Sequence, residues 1–219
     1  MTGQQRREQL LGIGRRLFAE KGFEATSVEE IAHRADVSKP VVYEHFGGKE
    51  GLYAVVVDRE LSALMDAIVG ALASPEHPRV LAERAALALL DYIEESPDGF
   101  RILVRDSPLG GSGSSLASLM SDVARQVEHL LAGAFRSNGF DAKLAPMYSQ
   151  MLVGMVALTG QWWMDSRKPK KQVVAAHLVN LAWNGLSGLE TRPRLTPREE
   201  PTGPTPPAQG QPTGQGPSQ

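Results

Sequence analysis

VSKPVVYEHFGGKE, residues 37–50, decides how the rest of the chain is read. The stretch is long enough for two helical turns, with Pro40 near its start and Gly47-Gly48 at its end. Ser38 is a residue type that caps helix N-termini, and Pro is tolerated in a first turn because the N–H it lacks has no intrahelical partner there. Gly stops a helix because it accepts left-handed backbone without a steric penalty. At about 100° per residue, Val42 and Phe46 fall on one face, and Tyr43 and His45 flank it. Pro40, Val41 and Glu44 point away. A core helix would carry more Leu and Ala, and a catalytic loop would carry a nucleophile. A short helix with this outward face suits the groove of a nucleic acid.

The residues upstream supply a partner for it. Leu10, Ile13, Leu17 and Phe18 recur at helical spacing, and Lys21-Gly22 ends that first helix. Ser27 with Glu30, or Thr26 with Glu29, forms a capping box that opens a second helix, whose apolar stripe is Val28, Ile31, Ala32 and Ala35. After a short turn at Asp36-Val37 the third helix begins. Two helices joined in this way make a helix-turn-helix over about residues 27–46, whose second member enters a major groove. Beyond it the spacing predicts helices at about 49–73, 78–95, 98–106, 114–137, 142–166 and 171–189. No alternating pattern supports a sheet, so the fold class is all-α.

Composition narrows the function. Of 219 residues 42% are hydrophobic, enough for a core, and the absence of cysteine excludes disulfides, thiolate metal sites and a Cys nucleophile. Net charge is −2, and residues 1–50 carry eight Lys/Arg against eight Asp/Glu, so any DNA affinity must come from where charges sit. MLVGMVALTGQWWM, residues 151–164, is too short to span a bilayer, and MTGQQRREQLL at the N-terminus has no apolar signal core. A cytoplasmic protein with no membrane partner is the expectation. Residues 191–219 are Pro, Gly, Gln and Thr with a single Leu, a composition that predicts a disordered tail.

Catalytic patterns are missing. FGGKE lacks the upstream glycine and the Ser/Thr of a phosphate loop, and GSGSS at 111–115 lacks the closing glycine of a nucleophile elbow. The five histidines are scattered, and adjacent carboxylates such as Glu29-Glu30 diverge on a helix. The sequence therefore predicts no catalytic residue, no metal and no cofactor.

Residues 7–53 resemble the N-terminal domain of TetR-family (tetracycline-repressor-like) transcriptional regulators. The matching positions are Phe18, Gly22-Phe23, Thr26-Ser27, Ile31-Ala32, Val37-Ser38-Lys39, Tyr43-x-His45-Phe46 and Lys49-Glu50-x-Leu52. The family often has Gly where this chain has Pro40, and a varied residue where it has Glu44. The resemblance implies that Thr26, Tyr43, His45 and Lys49 contact phosphates, with Lys39, Pro40 and Val41 nearest the bases. Ser27 and Ser38, at helix starts, complete the expected set with Glu44, which can accept from a cytosine amino group as Val41 packs on a thymine methyl.

The resemblance also implies a homodimer that binds a double-stranded DNA operator, with a small-molecule effector held in the C-terminal half, and repression as the usual mode. The expected division is a DNA-binding domain at 4–64, a ligand-binding and dimerisation domain at 65–190, and the tail. Helices 142–166 and 171–189 are the candidate dimer surface, through Met147, Met151, Gly154, Met155, Leu158 and Trp162 on the first and Val173, Val174, His177, Leu178, Leu181, Leu186 and Leu189 on the second. Tyr92, Phe100, Leu103, Met120, Phe135, Trp162 and Trp163 are the large side chains available to line a cavity, with Arg101 and Arg105 as candidates for an acidic ligand and GGSGSS (110–115) as a candidate gate. The competing reading is a helical small-molecule-binding or scaffolding protein whose helix-turn-helix is purely structural.

Overall fold

The computed structural model describes residues 1–104 except Ser74, and residues 115–195, with side chains from 120 onward in the second span. Among these residues the regular elements are all helical: α1 (Gly3–Lys21), α2 (Val28–Arg34), α3 (Lys39–Phe46), α4 (Lys49–Leu72), α5 (Pro78–Glu95), α6 (Pro97–Val104), α7 (Ser115–Ser137), α8 (Ala145–Ser166) and α9 (Lys171–Ser187). A 3-10 turn, Ala142–Leu144, precedes α8. The predicted helices fall within a few residues of these bounds. Arg105, residues 110–114 of the GGSGSS run and residues 196–219 of the tail lie outside the described residues.

Two apolar clusters organise the chain. The first joins α1, α2 and α3 to the start of α4, with Leu10, Leu17, Ile31, Val42 and Leu52 all fully buried. The second joins the rest of α4 to α5, α6, α7, α8 and α9, around Leu64, Leu90, Ile93, Leu103 and Trp163. Helix α4 serves both, Val56 in the first and Leu64 in the second. The expected division at residue 64 therefore falls inside one continuous helix, and no linker separates the two halves there.

Helix α6 also belongs to both. Its Ile102 is buried in the first cluster, while Phe100 and Leu103 are buried in the second. Beside it, Glu60 of α4 receives the Arg15 guanidinium of α1 at 2.6 Å and the Tyr92 hydroxyl of α5 at 2.6 Å. Gly99 of α6 lies so close that an added methyl would overlap the Glu60 carboxylate. Burial, and then the bond to Glu60, push the Tyr92 phenol far above its ordinary range, so it remains a donor. One carboxylate thus ties together helices of both halves.

Helices α8 and α9 are apolar on two sides. Val174, Ala175, Leu178 and Val179 of α9 face the subunit's own core, so Val174 and Leu178 are not free for a partner as the sequence reading had them. Met147, Met151, Leu158 and Trp162 on α8, and Val173 and Leu181 on α9, remain exposed, Leu158 and Leu181 at 64% and 65%. The α8 residues follow the i, i+4, i+11, i+15 spacing of one helix face.

Tyr92→Phe keeps the ring and removes the donor to Glu60. A hydrogen bond to a charged group contributes about 1.5–3 kcal/mol. The Tm at fixed protein concentration should fall by about 3–12 °C; an unchanged Tm would mean that Glu60 is satisfied without the phenol.

Candidate nucleic-acid interface

Helix α3 has eight residues and one fully buried side chain, Val42. A helix that short does not hold itself together, so its position must come from its neighbours. They grip it at both ends. At its C-terminus the Arg7 guanidinium of α1 donates to the His45 carbonyl at 2.7 Å and lies 4.3 Å above the Phe46 ring. Gly47 then closes the helix in left-handed conformation (φ +72), donating to the Tyr43 carbonyl at 2.8 Å, and Gly48 continues at φ +133. Gly51 lets α4 approach α3, since a methyl there would overlap the Phe46 carbonyl oxygen.

Helix α1 holds α2 in the same manner. The Gln9 amide donates to the Ala35 carbonyl at 3.2 Å, with Arg6 alongside at 3.5 Å. Carbonyls at helix ends lack intrahelical partners, and α1 provides them for both members of the helix-turn-helix. The connecting turn passes through Asp36 in left-handed backbone (φ 53), a conformation that Asp tolerates. The outward face is then set. Pro40 and Glu44 are exposed, Tyr43 is 53% exposed, and Val41 is half-buried against the edge of the core. His45 is half-buried on the opposite flank from Tyr43.

The remaining expected contacts sort by their present partners. Ser27 caps α2, accepting from the Glu30 N–H at 3.1 Å, so of the two predicted registers Ser27 sets the cap, while the Glu30 carboxylate takes Lys21 at 2.6 Å. Ser38 occupies the cap position of α3 but its hydroxyl makes no capping bond and stands exposed. Lys39 pairs with Glu29, and that hydrogen bond holds the Glu29 carboxyl below its ordinary range. Both side chains are more than half exposed, and such a pair opens at little cost. Lys49 donates to the Phe23 carbonyl at 3.1 Å with its ammonium 4.1 Å from the Phe23 ring centroid, which leaves further N–H donors.

Thr26 needs correction. Its side chain is buried, 2% exposed, and its hydroxyl donates to the Gly22 carbonyl at 2.7 Å. It closes the α1–α2 corner and does not offer that hydroxyl to a phosphate. Arg7, Gln9 and Arg6 were missed, and helical spacing alone carries no signal that would single them out.

The C-terminal half contains a cavity of about 280 Å³ lined by α4, α5, α6, α7, α8 and α9. Of the predicted lining, Phe100 and Met120 border it. Tyr92 is bonded to Glu60, Leu103 is core, Phe135 packs against Phe140 and Tyr148, and Trp163 donates to the Pro169 carbonyl at 2.8 Å. Trp162 is exposed on the outer face. Trp183 of α9 borders the cavity and was missed because its helix was read as dimer surface. A signal was present in Ala82, Ala85 and Ala86, small residues at helical spacing whose missing volume is the cavity wall on α5.

Residues 10–56 match the bacterial regulatory proteins of the tetR family, and residues 67–196 match the tetracyclin repressor-like C-terminal domain. The HTH-type transcriptional activator FasR of Mycolicibacterium smegmatis is 30% identical over 188 residues, covering 84% of each chain. A TetR-like transcriptional regulator from Rhodococcus sp. RHA1 has the same fold, with TM-score 0.68 and 24% identity over 84% of this chain and 97% of that one. The fatty acid degradation regulator FadR of Bacillus halodurans superposes with TM-score 0.67 at 16% identity, over 82% of this chain and 95% of its own. The chain belongs to the TetR family of transcriptional regulators.

Gly51→Ala should lower stability by about 1–3 kcal/mol through the collision with α3. Gly70→Ala, in the same helix, meets nothing within 4 Å and should be neutral or stabilising by up to about 1 kcal/mol. Equal unfolding midpoints for the two would contradict the close approach at Gly51.

Proposed function

We propose that the protein is a homodimeric, ligand-responsive transcriptional repressor whose α3 reads one half-site of a pseudo-palindromic operator. The observation that carries this is the outward side of α3, held by Val42 and Arg7: Pro40, Tyr43 and Glu44 are exposed and Val41 sits half-buried at its edge. In this reading Tyr43, His45, Ser38, Lys39 and Lys49 meet phosphates, with Lys39 exchanging Glu29 for a phosphate, and Val41 and Glu44 meet base edges. Ser27 offers its hydroxyl and the α2 N-terminus to the backbone. An operator on the bacterial chromosome implies work in the cytoplasm, and regulation rather than catalysis.

Two half-sites a turn of DNA apart require a two-fold partner, and the exposed stripe on α8 with Val173 and Leu181 on α9 supports a four-helix dimer contact. Ligand response runs through α6. Phe100 borders the cavity and Ile102, half a turn on, is buried among α1 and α4, so a guest that displaces one displaces the other. The scaffold alternative leaves the outward face of α3 unexplained. Activation is the second reading for the sign of control, because FasR is described as an activator; transcription from the bound promoter with and without the protein separates the two.

Binding to the DNA upstream of its own reading frame, followed by fluorescence anisotropy, should weaken steeply with salt. Lys49→Ala should reduce the log–log salt slope by about one, and Tyr43→Ala should weaken binding across sequences. Parent-like binding by both variants would remove them from the interface. Leu158→Glu should turn a dimer into a monomer in sedimentation equilibrium and lose the operator with it; a parent dimer undisturbed by that charge would exclude α8 from the contact.

A further inference from the structure

We infer that the cavity takes a single long hydrocarbon chain, of the kind found in a fatty acyl group, with its polar end left at the surface. The inference rests on the ligand-responsive reading above and names its ligand class. Its first support is the lining. Among the described residues around the cavity, Trp183 is the one side chain with an N–H or O–H to offer, and none is charged. A sugar, a nucleotide or a polycyclic drug would bury hydrogen-bonding groups there without partners, which costs several kilocalories per mole for the first few. A polymethylene chain loses nothing.

Shape is the second support. The α5 wall runs from Pro78 to Leu89, about 16 Å at a helical rise of about 1.5 Å per residue. Of the lining residues, Leu89 and Phe100 are buried, while Pro78 and Leu130 are exposed. The cavity therefore extends along that wall and meets solvent at its exposed residues. Bonds of about 1.5 Å zigzagging at the tetrahedral angle advance about 1.3 Å per carbon, so the tube holds about twelve carbons. A volume of about 280 Å³ fits one such chain. The chain's own segment 191–219, with one Leu, has no apolar stretch to occupy it.

The charged residues beside Pro78 leave the head group to the test. Arg79 pairs with Glu83 and Arg84 with Glu76, so the mouth carries both signs. Direct binding of octanoate, decanoate, dodecanoate and hexadecanoate to the full chain, without DNA, is measured by calorimetry. Each added methylene should tighten binding about fourfold up to about twelve carbons, and the gain should then level off. Dodecanol and the dodecanoyl thioester of coenzyme A form parallel arms. Equal affinities mean that the chain alone is read, and a preference of more than tenfold identifies the head group at the mouth.

Ala85→Leu and, from the α9 wall, Ala182→Leu fill the tube. Both should abolish binding while DNA affinity and Tm stay at or above the parent's. Affinity independent of chain length, or undiminished in two folded filled variants, would overturn the inference. DNA release by dodecanoate is scored separately: a chain-length series without release upholds the cavity's occupant and removes only the ligand-responsive reading.

Discussion

A single valine side chain anchors α3. Val42 is the only fully buried residue of α3, and eight residues of isolated helix are unstable in water. With one anchor, the helix can rotate about it unless something else fixes its azimuth. The Arg7 contact to the His45 carbonyl and the Phe46 ring does so at the C-terminal end, and the Gly51 approach does so along the side facing α4. The helix is thereby held with Pro40, Tyr43 and Glu44 exposed, while Val41 and Phe46 pack only at the cluster's edge. That is why a stretch so poor in Leu and Ala still folds as a helix.

The same economy of contacts extends to the link between halves. Neither α4 nor α6 belongs to one cluster alone, and the Glu60 carboxylate adds polar bonds to Arg15 and Tyr92 where they cross. A half-buried carboxylate with two partners is directional in a way that apolar packing is not: it tolerates little sliding of α1 against α5 before a partner is lost. The α1 helix that meets Glu60 also holds the ends of α2 and α3.

Most of the helical plan was legible in the sequence because it is written in local signals. Gly22, Gly47-Gly48, Ser27 and the Pro residues at 40, 78, 97 and 169 punctuate the chain where helices start or stop, and the apolar spacing between them fixes which faces are buried. Of the outward set drawn from a wheel on α3, Pro40 and Glu44 are exposed, whereas Val41 is half-buried against the core. Contacts between elements distant in sequence were not legible. Thr26 looks like a helix-start hydroxyl, and only its position in the α1–α2 corner turns it inward. Arg7 looks like any surface arginine until α3 arrives beside it. Large aromatics were the natural suspects for the cavity wall, yet Tyr92 and Trp163 found polar partners elsewhere and the space was made by alanines. An absence of volume leaves a fainter mark on a sequence than its presence.

The central claim is that the non-packed side of α3 meets base edges. The most direct measurement is selection of bound sequences from a random DNA pool by the parent, by Val41→Ala and Glu44→Gln, and by Lys49→Ala as a backbone-contact control. The account predicts that Val41→Ala and Glu44→Gln change the preferred base at two positions related by a two-fold axis, while Lys49→Ala keeps the parent's consensus. An identical consensus from all four proteins, or no enriched sequence at all, would contradict it.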